Sequence, residues 1–337
     1  MITFRNDFCL KPFNTFGIPV IASRFAAISK MEHLRWFYQN GEFAGHEILI
    51  LSEGSNVLFT KDFDGLVLHN EMWGMSVEEE SAKHVVLKVN AGESWSNLVK
   101  HTVKQGWGGI ENLALIPGKV GAAPIQNIGA YGAEVKDVIV SVEAFDMQTG
   151  QTVSFSHEEC RFGYRSSFFK TLGKGRYFVT SVLIRLDKNP TINISYGPLQ
   201  KAFSGRSNVT IVDIYDEVVN VRQSKLPDPD KLANAGSFFK NPVIDKEQAE
   251  EFLIDHPDAP HYPQLNGQVK LAAGWLIEQC GWKGVREGDV GVHQNQALVL
   301  VNYGHASGQQ IFDFAQKIIQ KVHDKMGVIL EPEVNII

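Results

Sequence analysis

The sequence predicts an α+β protein built from three units, and three observations support this fold class. The chain has 337 residues, enough for two or three domains at about 150 residues each. Amphipathic helical patterns and apolar strand patterns both recur along it. A segment dense in Pro, Asp and Asn at 224–239 has the composition of a domain boundary.

Helices and strands can be assigned from apolar periodicity in the first half of the chain. A helix whose apolar face runs from Met31 to Tyr38 precedes an apolar strand at 47–51, which ends in turn residues. A second strand at 84–92 leads into a helix with apolar residues from 95 to 103. This helix is expected to stop at Gly106.

The second half begins with strands and ends with helices. The pattern from 138 to 187 is strand-like, with a hairpin turn at 148–150. Beyond the boundary segment, one helix is expected at 270–280 and another at 307–322. The final apolar segment, 328–337, is predicted to be a buried strand that returns to pair with the first domain.

The composition is that of an ordinary globular protein. Hydrophobic residues make up 44% of the chain and charged residues 21%, which is too apolar for a disordered protein. The net charge of −6 gives no basic footprint for nucleic acid. No stretch approaches the roughly 18 to 20 apolar residues that a membrane helix needs, and residues 1–17 lack the pattern of a secretory signal. We therefore expect a cytoplasmic protein without nucleic-acid or membrane partners.

The cysteines and histidines give no metal or disulfide pattern. Cys9, Cys160 and Cys280 are far apart and odd in number. This is typical of small buried hydrophobes rather than of a disulfide framework or a zinc site. The histidines include no HExxH pair, so we expect no metal site.

The first segment with chemical meaning is LSEGSNVLF at 51–59. A strand that opens into Glu-Gly-Ser-Asn presents unpaired backbone N–H groups and small side chains, which suit the oxygens of a phosphate. An ordinary tight turn with Gly54 at positive φ explains the same residues. The segment alone leaves both interpretations open.

The second segment is IPGKVGAAPIQNIGAYG at 116–132. Its glycines and alanines let the backbone approach a ligand closely, and Gln126 and Asn127 add amide groups. Because so little side-chain bulk does not form a core alone, a ligand is expected to supply packing and hydrogen-bond partners. A disordered linker is the alternative, although the isoleucines, valine and tyrosine make the segment too apolar for one. No GxGxxG follows a predicted strand and no GxxxxGK[ST] occurs, which disfavours a Rossmann domain and a P-loop.

Five motifs occur in a fixed order along the chain: SEGSNVLF (52–59), IPGKVGAAPIQNIGAYG (116–132), CRFGYRSSFFK (160–170), AGSFFKNP (235–242) and LEPEV (330–334). Together they resemble the UDP-N-acetylenolpyruvoylglucosamine reductase (MurB) family of peptidoglycan synthesis. The resemblance begins at KPFNTFG, 11–17, and reaches the last residues.

The resemblance implies a three-domain flavoprotein. Its FAD-binding region would be similar to that of vanillyl-alcohol-oxidase-like (PCMH-type) flavoproteins, and a C-terminal α+β substrate domain would follow. The implied bounds are 1–74 plus 327–337 and 75–226 for two FAD-binding subdomains, and 227–326 for the substrate domain.

The resemblance also implies which residues hold FAD without a covalent bond, with its pyrophosphate on the glycine-rich backbone. Two alanines stand where some relatives carry two serines, which is expected to change FAD affinity rather than abolish binding. The implied contacts are Glu53, Gly54, Ser55, Asn56, Gly118, Gly121, Ala122, Ala123, Ile125, Gln126, Asn127, Gly129, Ala130, Tyr131 and Gly132.

Reduction of an enolpyruvyl ether needs a hydride donor, a partner for the carboxylate and a proton donor for the carbon. No side chain donates hydride, so the flavin would supply it. By the resemblance, Arg165 pairs with the carboxylate, Ser237 protonates the carbanion, and Glu333 acts as a proton relay or enolate-stabilising partner. The alternatives are a surface or interdomain salt bridge for Arg165 and a helix N-cap for Ser237. The motif, rather than physics, selects Glu333 over Glu331.

The resemblance assigns the UDP-sugar mainly to the third unit. Tyr196 in SYGPL matches the family's mobile substrate tyrosine and points to the longer of the family's two types. Lysine suits a diphosphate, and tyrosine offers uracil a stacking face. For each residue taken singly, a solvated surface residue is an equal alternative. The implied substrate contacts are Tyr164, Tyr196, Lys225, Asn241, Tyr262, Lys283 and Gln296.

The activity implied by the resemblance is NADPH-dependent reduction of UDP-N-acetylglucosamine enolpyruvate to UDP-N-acetylmuramate, by a monomer in the bacterial cytoplasm. NADPH and the sugar would use one cleft in turn, which predicts ping-pong kinetics. The second interpretation is a FAD-dependent oxidase of the same flavin fold. The third is a non-catalytic nucleotide-sugar or flavin-binding protein, which the joint presence of Arg165, Ser237 and Glu333 argues against.

Overall fold

The computed structural model describes residues 4–264 and 267–337. Helices and strands both occur along the chain, which confirms the α+β class. The helices in chain order are α1 (Met31–Gln39), α2 (Trp95–Lys104), α3 (Gly197–Ala202), α4 (Ile211–Lys225), α5 (Lys246–Asp255), α6 (Ala273–Gln279) and α7 (Gly308–Met326). The strands in chain order are β1 (Arg5–Cys9), β2 (Ile21–Ile28), β3 (Glu47–Leu51), β4 (Val57–Leu58), β5 (Phe63–Asn70), β6 (Met75–Glu80), β7 (His84–Asn90), β8 (Gly129–Ala130), β9 (Ala133–Glu134), β10 (Ile139–Asp146), β11 (Gln151–Ser156), β12 (Tyr177–Asp187), β13 (Ala233–Ser237), β14 (Val243–Ile244), β15 (His261–Pro263), β16 (Val269–Leu271), β17 (Arg286–Glu287), β18 (Val290–Val292), β19 (Val299–Asn302) and β20 (Asn335–Ile336).

The chain divides into two compact units, and neither unit is one continuous segment. The last block of unit 2 begins inside the segment at 224–239 that the sequence marks as a boundary. The division into three domains stays a prediction. Unit 1 comprises Met1–Phe8, Ala22–Glu53 and Asp64–Ser224, and unit 2 comprises Cys9–Ile21, Gly54–Phe63 and Lys225–Ile337.

Unit 1 is built on two main sheets. One has the strand order β1-β2-β5-β3, in which β3 and β5 are parallel. The other has the order β11-β10-β12-β7-β6 and is antiparallel. The predicted hairpin is confirmed, because β10 and β11 pair on either side of the turn. In that turn Gly150 has φ of +71°, and a Cβ there would lie 2.4 Å from the Tyr38 ring, so only glycine fits.

Both predicted helices of unit 1 are confirmed. Helix α1 buries Leu34 and Phe37, which are one turn apart on its apolar face. Helix α2 begins after Ser94, whose hydroxyl accepts a hydrogen bond from Asn97 N. It ends just before Gly106, where φ is +76°.

The three cysteines lie in different environments. Cys160 is buried in the main core of unit 1, as predicted. Cys280 is partly buried. The prediction of burial is wrong for Cys9, which ends the edge strand β1 and is exposed.

Unit 2 contains the sheet β13-β19-β18-β17, the three-stranded sheet β14-β16-β15 and the parallel pair β20-β4. The last helix begins where the sequence predicts, because Ser307 and Gln310 form a reciprocal capping box at the start of α7. The helix continues past the predicted end at residue 322 and stops at Gly327, which has φ of +66°.

The helix expected at 270–280 is shorter than the sequence indicates. It begins at Ala273, because residues 269–271 form β16 and pair with strands on both sides. Those backbone pairs come from β14 and β15, which lie elsewhere in the chain. Gly281, with φ of +79°, follows the helix end.

The final segment returns to the N-terminal region, as predicted, but the prediction that it is buried holds for only part of it, since Ile329 and the strand Asn335–Ile336 are exposed. Asn335–Ile336 pairs in parallel with Val57–Leu58, and Val328, Leu330 and Val334 are buried. A continuous strand over 328–337 is wrong, because regular pairing is confined to the last two-residue strand.

Candidate active site

The turn after β3 is joined to the glycine-rich segment within unit 1. The carboxylate of Glu53 accepts a hydrogen bond from Gly118 N at 2.9 Å, and the hydroxyl of Ser52 accepts one from Lys119 N at 3.1 Å. Glu53 therefore positions the glycine-rich backbone, and two segments that the sequence assigns to the cofactor are held together.

The next residues, Gly54 to Asn56, belong to unit 2. Gly54 has φ of +65°, and a Cβ there would lie 2.0 Å from Phe13 O, so the tight turn is confirmed. The amides of Gly54 and Ser55 make no hydrogen bond within residues 4–264 and 267–337, which suits them to phosphate oxygens. Asn56 O accepts a hydrogen bond from Asn335 N at 3.1 Å, which fixes the last residues of the chain.

The first half of the glycine-rich segment packs against the protein itself. Val120 N donates to Glu93 O at 2.8 Å and Gly121 N donates to Ala91 O at 2.9 Å. A Cβ on Gly121 would lie 2.5 Å from the Ala91 Cβ, so this glycine is required by the protein backbone. Val120, Ala123 and Ile128 belong to the main core of unit 1. The expectation that a ligand must supply the packing of this segment is therefore wrong.

Asn127 joins the glycine-rich segment to the loop that carries Arg165. Its side chain is fully buried. Nδ2 donates to Glu134 Oε2 at 3.1 Å and to Gly163 O at 3.0 Å, and Oδ1 accepts from Lys136 N at 3.1 Å. The side-chain amide of Asn127 is therefore hydrogen-bonded to protein groups, and we assign Asn127 as a residue that positions the loop. Its φ of +46° is one that asparagine tolerates.

Arg165 lies at the tip of a tight backbone hairpin. Gly163 and Ser166 exchange two backbone hydrogen bonds, of 3.0 and 3.2 Å. Arg165 has φ of +53°, a strained conformation that is typical of functional sites. Its Nη2 donates to Gly129 O at 2.9 Å. A Cβ on Gly129 would lie 3.2 Å from Arg165 Nη1, so this glycine leaves room for the guanidinium. Tyr164, beside it, is 38% exposed.

The loop that carries Tyr196 is held against the end of the glycine-rich segment. Asn112 Nδ2 donates to both Tyr131 O and Asn193 O at 2.9 Å. Asn193 Nδ2 donates to Gly132 O at 3.0 Å. The rings of Tyr131 and Tyr196 meet edge to face at 5.3 Å. Burial raises the pKa of Tyr131, so its phenol is neutral at pH 7.

A buried lysine lies at the start of the glycine-rich segment. Lys119 Nζ donates to Asn70 O at 2.6 Å, lies 3.2 Å from His69 Nε2 and sits over the ring of Trp73. Burial lowers the pKa of both Lys119 and His69. The nearby carboxylate of Glu71, 3.0 Å from His69 Nδ1, counters both shifts.

In unit 2, Ser237 ends β13 rather than beginning a helix, so the N-cap alternative is wrong. The pairing of β13 with β19 shifts register between Asn234 and Ser237, and Gly236 between them has φ of +70°. Asn234 Oδ1 accepts a hydrogen bond from Gly236 N at 2.9 Å, which fixes this bulge. Ser237 pairs with Val299 after this bulge, so the regular alternation of side chains along the strand is shifted by one residue.

The strand end at Ser237 lies beside the LEPEV motif, within the same unit. Glu333 N donates to Phe238 O at 2.8 Å and Lys240 N donates to Glu331 O at 2.9 Å. Glu331 is exposed and pairs with Lys240 Nζ at 3.0 Å, whereas Glu333 is partly buried. The structure therefore separates the two glutamates that the sequence alone does not distinguish.

The predicted substrate residues of unit 2 fall into two sets. Asn241 and Gln296 meet the start of α6, since Asn241 Oδ1 accepts from Ala273 N at 2.9 Å and Gln296 lies near Gly274. Lysines and a tyrosine lie at the surface: Lys225 ends α4, Lys283 pairs with Glu278 at 2.7 Å, and Tyr262 is 47% exposed.

Several residues of the site lie outside the sequence predictions. Asn112 and Asn193 carry no local motif, because their partners are backbone carbonyls far away in the sequence. Arg222 could have been noticed from the sequence, because this cation follows the apolar residues Ile214 and Val218 at a spacing of four along helix α4, and its Nε is buried. The buried Lys119 lies within a motif that the sequence identifies, but its burial depends on β5 and Trp73.

The residues present fit a dinucleotide cofactor. Among the predicted contacts, five are buried in the protein, namely Gly54, Gly118, Gly121, Ala123 and Asn127, while others remain partly exposed and able to meet a ligand. The partly exposed ones are Ser55, Asn56, Ala122, Ile125, Gln126, Gly129, Ala130 and Tyr131, and Glu53 and Gly132 are exposed.

Comparison with known proteins gives matches over nearly the whole chain. Residues 228–337 match the family of the UDP-N-acetylenolpyruvoylglucosamine reductase C-terminal domain, and residues 25–156 match the FAD binding domain family. UDP-N-acetylenolpyruvoylglucosamine reductases of Chromobacterium violaceum and Pseudomonas putida are 47% and 45% identical to this chain. The first alignment covers 98% of each chain and the second 99% of each.

A solved structure shares the fold. The crystal structure of UDP-N-acetylenolpyruvylglucosamine reductase from Thermus caldophilus matches with a TM-score of 0.69 and 22% identity, over 100% of this chain and 98% of that one. The match confirms the predicted fold class. No helix within residues 4–264 and 267–337 is long and apolar enough to span a membrane.

Proposed function

The chain belongs to the UDP-N-acetylenolpyruvoylglucosamine reductase family, and from this premise we propose that it reduces UDP-N-acetylglucosamine enolpyruvate to UDP-N-acetylmuramate. NADPH is the reductant, and FAD is the cofactor. The reaction is a cytoplasmic step of bacterial peptidoglycan synthesis.

One observation carries the proposal most directly. Ser237 and Glu333 come from motifs almost a hundred residues apart in sequence, yet their backbones are neighbours through the hydrogen bond from Glu333 N to Phe238 O at 2.8 Å. A hydroxyl and a carboxylate on adjacent segments are the groups that a proton transfer to carbon needs. The register shift between Asn234 and Ser237 is a bulge just before Ser237, which pairs again opposite Val299, and bulges of this kind often re-aim a side chain next to an active site.

Each residue has a role that its surroundings support. When bound, FAD supplies the hydride that reduces the enolpyruvyl carbon. Arg165, oriented by Gly129 O, presents its planar guanidinium to the substrate carboxylate and stabilises negative charge there. Ser237 gives a proton to the adjacent carbon, and Glu333 assists as a proton relay. The tyrosines and lysines predicted for the UDP-sugar are exposed or at helix ends, where they can bind a diphosphate and a base.

The test separates the two half-reactions by anaerobic stopped-flow absorbance. In Ser237→Ala, bleaching of the flavin by NADPH is expected to remain near the wild-type rate, while its return on adding the enolpyruvyl sugar slows by about a hundredfold or more, the usual value of one acid–base group. Ser237→Cys, which keeps an acidic proton at the same place, is expected to recover part of the rate.

Two outcomes would contradict the proposal. If both half-reactions slow equally in Ser237→Ala, Ser237 is not the proton donor. If the wild-type flavin stays reduced with the enolpyruvyl sugar and returns only with oxygen, the protein is an oxidase of the same flavin fold.

A further inference from the structure

Helix α4 places an arginine where its pattern calls for an apolar side chain. Its buried positions are Ile211, Ile214 and Val218, spaced by three and four residues along one face. The next position on that face is Arg222. Arginine is almost never taken toward a core unless it is paired.

The surroundings of Arg222 do not supply a countercharge. Its Nε is fully buried and has no hydrogen-bond partner within residues 4–264 and 267–337. No carboxylate in this part of the chain forms an ion pair with it. The titratable groups that act on it are the neutral phenol of Tyr131 and a second cation, Arg165. Burial and the neighbouring cation both lower the pKa of Arg222, but a guanidinium remains protonated at neutral pH.

The guanidinium groups of Arg165 and Arg222 carry the same charge and repel each other where little water screens them. An anion bound between or beside them relieves this repulsion. The other structural explanation is the end of the helix. Arg222 lies in the last turn of α4, where a cation is stabilised by the free carbonyl groups. Stabilisation at the helix end requires only a positive charge, so lysine would serve equally well. Bidentate binding of a planar anion requires the paired N–H donors of a guanidinium, which lysine lacks.

We propose that Arg222 is a second anion-binding residue of the active site, and that with Arg165 it holds the carboxylate of the enolpyruvyl group. This inference rests on the proposed function. The carboxylate is the planar, delocalised anion of that substrate, and negative charge builds next to it when hydride is added. A second guanidinium on the Tyr131 side would bind it before the reaction and stabilise the added charge during it.

The experiment compares two ligands that differ in the carboxylate. Wild type, Arg222→Met, Arg222→Lys and the control Arg206→Met are titrated in the oxidised state, without NADPH, and binding is followed by the flavin absorbance. The ligands are UDP-N-acetylglucosamine enolpyruvate and UDP-N-acetylglucosamine. Arg206 precedes the same helix but is 57% exposed, beside Asp213.

Loss of a charged hydrogen-bonding partner corresponds to a factor of about ten to a hundred in Kd. Arg222→Met is expected to weaken the enolpyruvyl ligand by that factor and to leave the ligand without a carboxylate unchanged. Arg222→Lys should fall between wild type and Arg222→Met, and Arg206→Met should match wild type. Flavin content and the unfolding midpoint of each variant show that it is folded, and Arg222→Lys carries the test if Arg222→Met is not.

Three results would overturn the inference. Equal weakening of both ligands assigns Arg222 to the diphosphate or to general packing. Unchanged affinities with a shifted midpoint potential of the bound FAD assign it to the cofactor. No change in any of these assigns it to the helix end. Failure of the proposed function looks different, because wild type would then show no preference for the enolpyruvyl ligand.

Discussion

Asn127 offers the sharpest test of how the catalytic loop is positioned. Asn127→Ala removes three hydrogen bonds, to Glu134, Gly163 and Lys136. At about 1 kcal/mol each they account for about 3 kcal/mol. Alanine at a φ of +46° adds about 1 kcal/mol of backbone strain. The expected loss is therefore about 4 kcal/mol in the free energy of unfolding.

Two variants separate these contributions by denaturant unfolding. Asn127→Gly loses the three hydrogen bonds, but glycine adopts a positive φ without strain. This variant should therefore be destabilised by about 3 kcal/mol. Asp7→Ala is the matched control, because Asp7 is exposed and has φ of +48°, and it should lose only about 1 kcal/mol.

The same variants have a kinetic consequence. Gly163 O, one partner of Asn127, belongs to the hairpin that carries Arg165. Asn127→Gly is expected to slow flavin return by the enolpyruvyl sugar more than flavin bleaching by NADPH. If Asn127→Ala and Asn127→Gly both stay within about 0.5 kcal/mol of wild type and react normally, Asn127 does not position the loop.

Two further predictions concern carboxylates in different surroundings. Glu331→Gln removes one partner of the exposed ion pair with Lys240, so the free energy of unfolding should fall by at most about 1 kcal/mol and both half-reactions should be unchanged. Glu333→Gln should slow the return of flavin absorbance in stopped-flow measurements. Equal kinetic effects of the two variants would contradict the assignment of Glu333. Arg176, with two hydrogen bonds to the buried carboxylate of Asp146, holds the pKa of Asp146 at about 2, below its usual 3.8. Because the folded-state pKa is depressed, this stabilisation is present above about pH 4 and is lost as the pH falls toward 2. Arg176→Met should lower the stability at pH 7 and show a flatter decline in stability between pH 4 and 2 in denaturant titrations, and an unchanged decline would refute the pairing.

Much of the secondary structure can be predicted because its causes lie a few residues apart. The apolar faces of α1 and α2, the capping box of α7 and the turn at Gly150 each depend on side chains within one or two turns of the chain. The motifs likewise identify Arg165, Ser237 and Glu333 as a set, and their roles remain predictions.

The tertiary structure decided what depends on distant partners. Residues 269–271 could continue a helix, but two strands from other parts of the chain pair with them. Gly121 must be glycine because Ala91, which is distant in sequence, approaches it closely. Glu331 and Glu333 differ because only Glu331 meets Lys240.

The sequence by itself determined the α+β class, the family resemblance and the candidate residues, since these follow from local periodicity and from motifs in order. Only the folded chain decided which of those residues contact protein and which remain available for ligands. Asn127 and Glu53 are satisfied by protein partners, whereas the buried Nε of Arg222 has no hydrogen-bond partner within residues 4–264 and 267–337. The physical reason is that burial, hydrogen bonding and charge pairing are properties of neighbours in space, and a linear pattern does not specify those neighbours.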